Sequence, residues 1–129
     1  MSNKAVINTE KAPAAIGPYS QAVKAGNTVY LSGQIPLNPE TMEIVSDDFE
    51  AQARQVFTNL QAVCREAAGS LGDIVKLNLY LVDLDNFAIV NKVMEEFFST
   101  PFPARAAVGV KALPKGSQVE AEAVMVIGD

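Results

Sequence analysis

Two periodicities organise the apolar positions of the chain. Val75, Leu77, Leu79 and Leu81 alternate with Lys76, Asn78 and Tyr80, the two-residue repeat of a strand with one buried face. Ala53, Val56, Phe57, Leu60, Val63, Cys64 and Ala67 instead recur at steps of three and four, one face of an α-helix. Asp47, with Glu50 three residues later, predicts the start of that helix as a capping box, and Gly69 predicts its stop. A second helical stripe runs through Phe87, Val90, Val93, Met94, Phe97 and Phe98. Asp85 or Asn86 can cap it, and Pro101 and Pro103 end it. Upstream, Ala22-Val23 and Thr28–Leu31 flank Gly26-Asn27 and predict a hairpin. Its second strand stops around Ser32 to Pro36, because Pro36 and Pro39 bar a continuing central strand. Two strands close the chain, Ala104–Val110 and Gln118–Ile127, joined by a turn containing Pro114 and Gly116.

The predicted order is β-β-α-β-α-β-β, an α+β domain with two helices packed on one face of a sheet. No linker, repeat or low-complexity tract divides residues 1–129, so one domain is expected. In the last strand Val119, Ala121, Ala123 and Met125 occupy one face and Val124 and Val126 the other. A sheet with one face in water alternates more cleanly. The second face is therefore expected to be covered by other copies of the chain, giving a homo-oligomer.

Composition narrows the chemistry. At 49% hydrophobic residues, 129 residues suffice for a core without disulfides or metals. The chain has no His, which excludes an imidazole base, a serine–histidine triad and a histidine-bound zinc. A single cysteine, Cys64, excludes a disulfide framework and a thiolate metal cluster; on the helical stripe it reads as an inert core thiol. Neither metal nor cofactor is expected. The formal net charge of −5 would repel a phosphate backbone, so no nucleic-acid partner is expected. No apolar stretch approaches the ~18 residues of a membrane span. Met1-Ser2-Asn3-Lys4 lacks the apolar core of a secretory leader, so a soluble, cytoplasmic domain is predicted. The chemistry falls to Arg, Lys, Glu, Asp, Tyr, Ser and backbone groups.

Arg105 is the foremost candidate. Its face of the strand carries only Ala107 and Gly109, which leave room for its fork of donors to hold a ligand carboxylate. The competing reading is an ion pair with Glu122 or Glu120 on a neighbouring strand. Glu120 and Glu122 share a face of the last strand, and either becomes an acid–base catalyst if burial raises its pKa; the spacing does not separate the two. Tyr19, after Gly17-Pro18, either anchors its loop or donates to a substrate. Ser32-Gly33 marks a strand end or a close backbone approach to a ligand. Asn91 shares a helix side with Phe87 and Met94 and needs a polar partner. Lys111 and Lys115 read as solvated.

Several segments together resemble one family over almost the whole chain. They are Ala14-Ala15-Ile16-Gly17-Pro18-Tyr19-Ser20-Gln21, Leu31-Ser32-Gly33-Gln34-Ile35-Pro36, Pro103-Ala104-Arg105, Leu113-Pro114-Lys115-Gly116 and Val119-Glu120. The family is that of the reactive-intermediate deaminases, RidA/YjgF. The resemblance implies a chorismate-mutase-like fold, a homotrimer with clefts between subunits, and a role in metabolite damage control. The reaction it implies is hydrolysis of 2-imino acids such as 2-iminobutanoate or 2-iminopropanoate, released by pyridoxal-phosphate dehydratases, to 2-oxo acids and ammonia. Carried over, Arg105 is the carboxylate clamp and Glu120 the group that holds water or handles the proton. Tyr19, Ser32 and Gly33 form the opposite wall, and Asn91 lines the site from the adjacent subunit. Ala107 stands where some relatives have Cys and offers only backbone contacts, while Ala121 replaces a larger apolar residue. Two rival functions carry the same resemblance: a non-catalytic trimer that binds 2-oxo acids or other carboxylates, and an RNA-cleaving translation inhibitor.

Overall fold

The computed structural model describes residues 4–128. The stretch that the sequence reads as lacking a leader lies outside them apart from Lys4. Six strands, β1 (Ala5–Ile7), β2 (Ala22–Ala25), β3 (Thr28–Gln34), β4 (Ile74–Leu81), β5 (Ala104–Gly109) and β6 (Val119–Val126), form one sheet in the order β1-β2-β3-β6-β4-β5. Every pair is antiparallel except β4 with β5, so the sheet is mixed. Two helices, α1 (Phe49–Glu66) and α2 (Phe87–Phe97), provide the apolar partner of one face. The alternation in β4 and β6 is what buries that face. Leu77, Leu79 and Leu81 meet Ala121, Ala123 and Met125 beneath Phe57, Leu60 and Val63 of α1 and Val90 and Val93 of α2, all at 0–4% exposure. Arg54 of α1 ties the helices together outside, bridging Glu50 at 2.7 Å and Glu96 of α2 at 2.8 Å.

The expected α+β layout of two helices on a sheet is present, with corrections. A short first strand, β1, precedes the predicted hairpin. The closing strands are not neighbours: β6 lies at the centre between β3 and β4, and β5 sits at the edge beyond β4. The cause is the connection through α2. A strand that follows a helical crossover returns parallel to its predecessor, and β4-α2-β5 does so. Arg105 therefore has β4 beside it, and its register partner is Leu77, on the helix-covered face. Glu120 pairs with Tyr80 and Glu122 with Asn78, on the opposite face. A cross-strand ion pair between Arg105 and either glutamate is excluded. The space beside Arg105 is bounded by Asn91, Met94 and Glu95 of α2 with Phe102 and Pro103, and not by Ala107 and Gly109.

The caps also shift. Asp48, not Asp47, caps α1, its carboxylate accepting from the Ala51 N–H at 3.0 Å. At the other end Ala68 takes the left-handed conformation (φ 66°), while Gly69 N–H donates to Cys64 O at 2.9 Å and Ala68 N–H to Arg65 O at 3.0 Å, a Schellman closure. Gly69 serves close packing instead, since a Cβ there would meet the Met125 sulfur at 2.8 Å. Asp83 caps the single 3₁₀ turn ahead of α2; Asn86 sits at the helix N-cap without a side-chain bond there. Lys115 is exposed, yet its ammonium donates to Met42 O at 2.8 Å.

Candidate active site

Two hollows on different surfaces of the chain contain the foremost candidates. The first surrounds Glu120. Between Leu31↔Ala123 and Gln34↔Ala121, β3 spends two residues, Ser32 and Gly33, opposite Glu122 alone. This is a β-bulge, a device that re-aims the chain beside functional sites. It brings the Gly33 backbone against Glu120 so closely that an added Cβ would overlap Oε2 and lie 3.0 Å from Cδ. Only glycine fits there without moving the carboxyl. Pro13, Ala14, Ile16, Tyr19, Ile35, Leu37 and Pro114 complete the walls of a hollow of about 230 Å³. That is below the ~300–1,000 Å³ of pockets for larger ligands, and it suits a small metabolite.

Glu120 is half-buried among these apolar groups. Burial, and secondarily the charge of Glu122, raise its pKa above the ordinary carboxylate value of 4.5. Glu122 is occupied elsewhere: it accepts a very short hydrogen bond from the Tyr80 hydroxyl and a long one, 3.5 Å, from Asn78 Nδ2. That bond leads the causes that push the Tyr80 phenol up to about 12, with burial second. Glu120 lines the hollow, whereas Glu122 is engaged along the sheet. Tyr19 stands on the wall, half-exposed, and its hydroxyl oxygen accepts from the Ile16 N–H at 3.4 Å. Its own O–H hydrogen is left to point elsewhere. Ser32 does not line the hollow. Its hydroxyl donates to Ser20 O at 2.5 Å and its N–H to Gln21 O at 2.9 Å, tying the bulge to the loop that carries Tyr19.

The second hollow surrounds Arg105 and is lined by Asn91, Met94, Glu95, Phe102 and Pro103. The guanidinium is held from α2 on three sides. Nη1 donates to Asn91 Oδ1 at 2.5 Å and lies 3.3 Å from the Met94 sulfur, and Cζ sits 4.9 Å from the centre of the Phe87 ring. Among the described residues no partner takes Nε or Nη2, so half the fork is open for a carboxylate. Asn91 thus finds its polar partner in Arg105. Ala107 packs half-buried against the core and lines neither hollow. Cys64 is buried, and burial pushes its thiol up to about 12, which keeps it protonated.

Met94 belongs to the core and Phe87 packs against it, as the sequence reading expected, and both also hold the Arg105 guanidinium. They share with Asn91 the spacing i, i+4, i+7, which is also the signature of a packing stripe. The wall residues Pro13, Ile35, Leu37 and Pro114 come from loops and carry no periodic signal. Among the described residues no helix is long and apolar enough to cross a membrane.

A sequence profile described as Endoribonuclease L-PSP matches residues 9–127. A protein of Dermatophagoides farinae named 2-iminobutanoate/2-iminopropanoate deaminase is 50% identical over 127 residues, 98% of this chain and 99% of the relative. The chain belongs to the RidA/YjgF family. The crystal structure of RidA from the Antarctic bacterium Psychrobacter sp. matches with a TM-score of 0.93 and 57% identity over 95% of this chain and 99% of that one. The structure of Escherichia coli TdcF with bound serine matches at 0.92 and 43% identity, over 97% and 100%. The RidA fold so identified is the two-helix, mixed-sheet architecture described above.

Proposed function

We propose that this RidA-family chain is a 2-iminobutanoate/2-iminopropanoate deaminase, hydrolysing reactive 2-imino acids to 2-oxo acids and ammonia. The observation that carries the reading is Glu120, a carboxyl of raised pKa set against the Gly33 backbone in a small apolar hollow. Full-length likeness to a deaminase supports it. An iminium carbon is already electrophilic, so the protein needs to fix the substrate, orient one water and carry a proton. Nε and Nη2 of Arg105 hold the substrate carboxylate bidentately. Water adds to the iminium carbon, the C=N π electrons move to nitrogen, and Glu120 takes the water proton. The carboxyl then returns that proton to the nitrogen; as the C–N bond breaks, the Glu120 carboxylate takes the remaining hydroxyl proton, the carbonyl forms, and the departing ammonia carries that proton away as ammonium.

Within one chain Arg105 and Glu120 lie on opposite faces of the sheet, with β4 between their strands. The chemistry therefore draws them from different copies. We read the assembly as a homotrimer in which each cleft joins the Arg105 hollow of one protomer to the Glu120 hollow of the next. The RNA-cleaving reading gains nothing from this geometry, since Glu120 would repel a phosphate in the same hollow.

The test generates 2-iminobutanoate in situ with a threonine dehydratase and follows 2-oxobutanoate release. Wild type should accelerate release, and Arg105→Ala should lose most of kcat/KM, on the order of the ~2–5 kcal/mol of a desolvated charge pair deprived of one partner. Arg105→Ala turnover equal to wild type would overturn the clamp.

A further inference from the structure

The hollow around Glu120 is walled by loops, and buried side-chain amides hold those loops from beneath. Gln21, just before β2 and 2% exposed, donates through Nε2 to Pro13 O at 2.8 Å and Thr9 O at 3.0 Å, with Ala12 O at 3.3 Å, and its Oε1 accepts from the Thr9 N–H at 2.7 Å. Asn59 of α1 donates to Leu37 O at 3.0 Å and Ile35 O at 3.3 Å, bracing the facing wall. Burying an amide is costly unless its hydrogen bonds are made. Gln21 spends all of its bonds on one segment, whose continuation supplies Pro13, Ile16 and Tyr19 to the wall. Glu120 itself rides on β6, which is held on both sides by β3 and β4.

We propose that Gln21 is a positioning residue of the deaminase site, a brace that keeps the Pro13–Tyr19 wall closed over the substrate while leaving the Glu120 carboxyl to the sheet. The inference rests on the deaminase reading above. It predicts a split signature: loosening the brace weakens substrate binding and spares the proton transfer. Gln21→Met keeps the length of the side chain and removes every hydrogen bond it makes to the loop. In the 2-iminobutanoate assay KM should rise roughly tenfold, as expected when about two net hydrogen bonds to a wall are lost, with kcat within about twofold of wild type. Gln21→Asn keeps a buried amide but draws it back by one methylene, and it serves where Gln21→Met does not fold. A lowered unfolding temperature with KM unmoved would overturn the inference, because the amide would then be structural only. A fall in kcat at constant KM overturns it as well. A wild type without turnover overturns the deaminase reading itself, whereas an active wild type with an unmoved variant KM overturns the brace alone.

Discussion

At the scale of single residues the proposed site rests on two groups that, among the described residues, have no oppositely charged partner. Arg105 is offered an amide, a sulfur and an aromatic face, all of which orient it and none of which neutralises it. Glu120 is half-buried, with the Glu122 charge nearby and no cation beside it among the described residues, so its ionised form is disfavoured. The sign of the consequence for stability follows by linkage. Because the folded-state pKa lies above the unfolded value, the native state binds the proton more tightly. The penalty is absent below about pH 4.5 and grows as pH rises through the raised pKa. Glu120→Gln should therefore unfold at a higher temperature than wild type at neutral pH, with the gap closing as the pH falls toward 4.5. Thermal melts across that range check it; a gap that stays constant with pH would contradict the assignment of a raised carboxyl.

At the scale of elements, the long amphipathic pieces were legible and the exceptions have local causes. The β4 alternation and the α1 stripe predicted what is buried because one period serves one face. The strand Ala5–Ile7 is too short to show a period, and the partnership of β5 with β4 depends on the α2 crossover, which no spacing within β5 records. For the same reason the sequence could nominate Arg105 and Glu120 but could not say that they occupy opposite faces. It also placed the α1 stop at Gly69, one residue late. Ala68 holds the left-handed position that glycine occupies at lower cost. Ala68→Gly should stabilise the fold by roughly 0.5–1 kcal/mol, read from the urea midpoint at unchanged slope. A destabilised variant would show that the Ala68 methyl contributes more by packing than its conformation costs.

At the scale of the whole molecule, the uncovered sheet face decides the account. It presents Tyr30, Val108 and Val126, each 41–51% exposed, beside the Tyr80–Glu122 pair. Apolar groups gathered on one face fit burial against further copies of the chain. In a trimer each cleft would take the guanidinium from one protomer and the carboxyl from another. Co-expression of Arg105→Ala and Glu120→Ala chains tests this most directly, since each protomer then carries one lesion. Random mixing should restore both intact groups in about a quarter of the clefts of a cyclic trimer, and deaminase turnover should return to about that fraction of wild type while either variant alone stays inactive. No recovery in mixed assemblies of confirmed composition would contradict a site shared between chains.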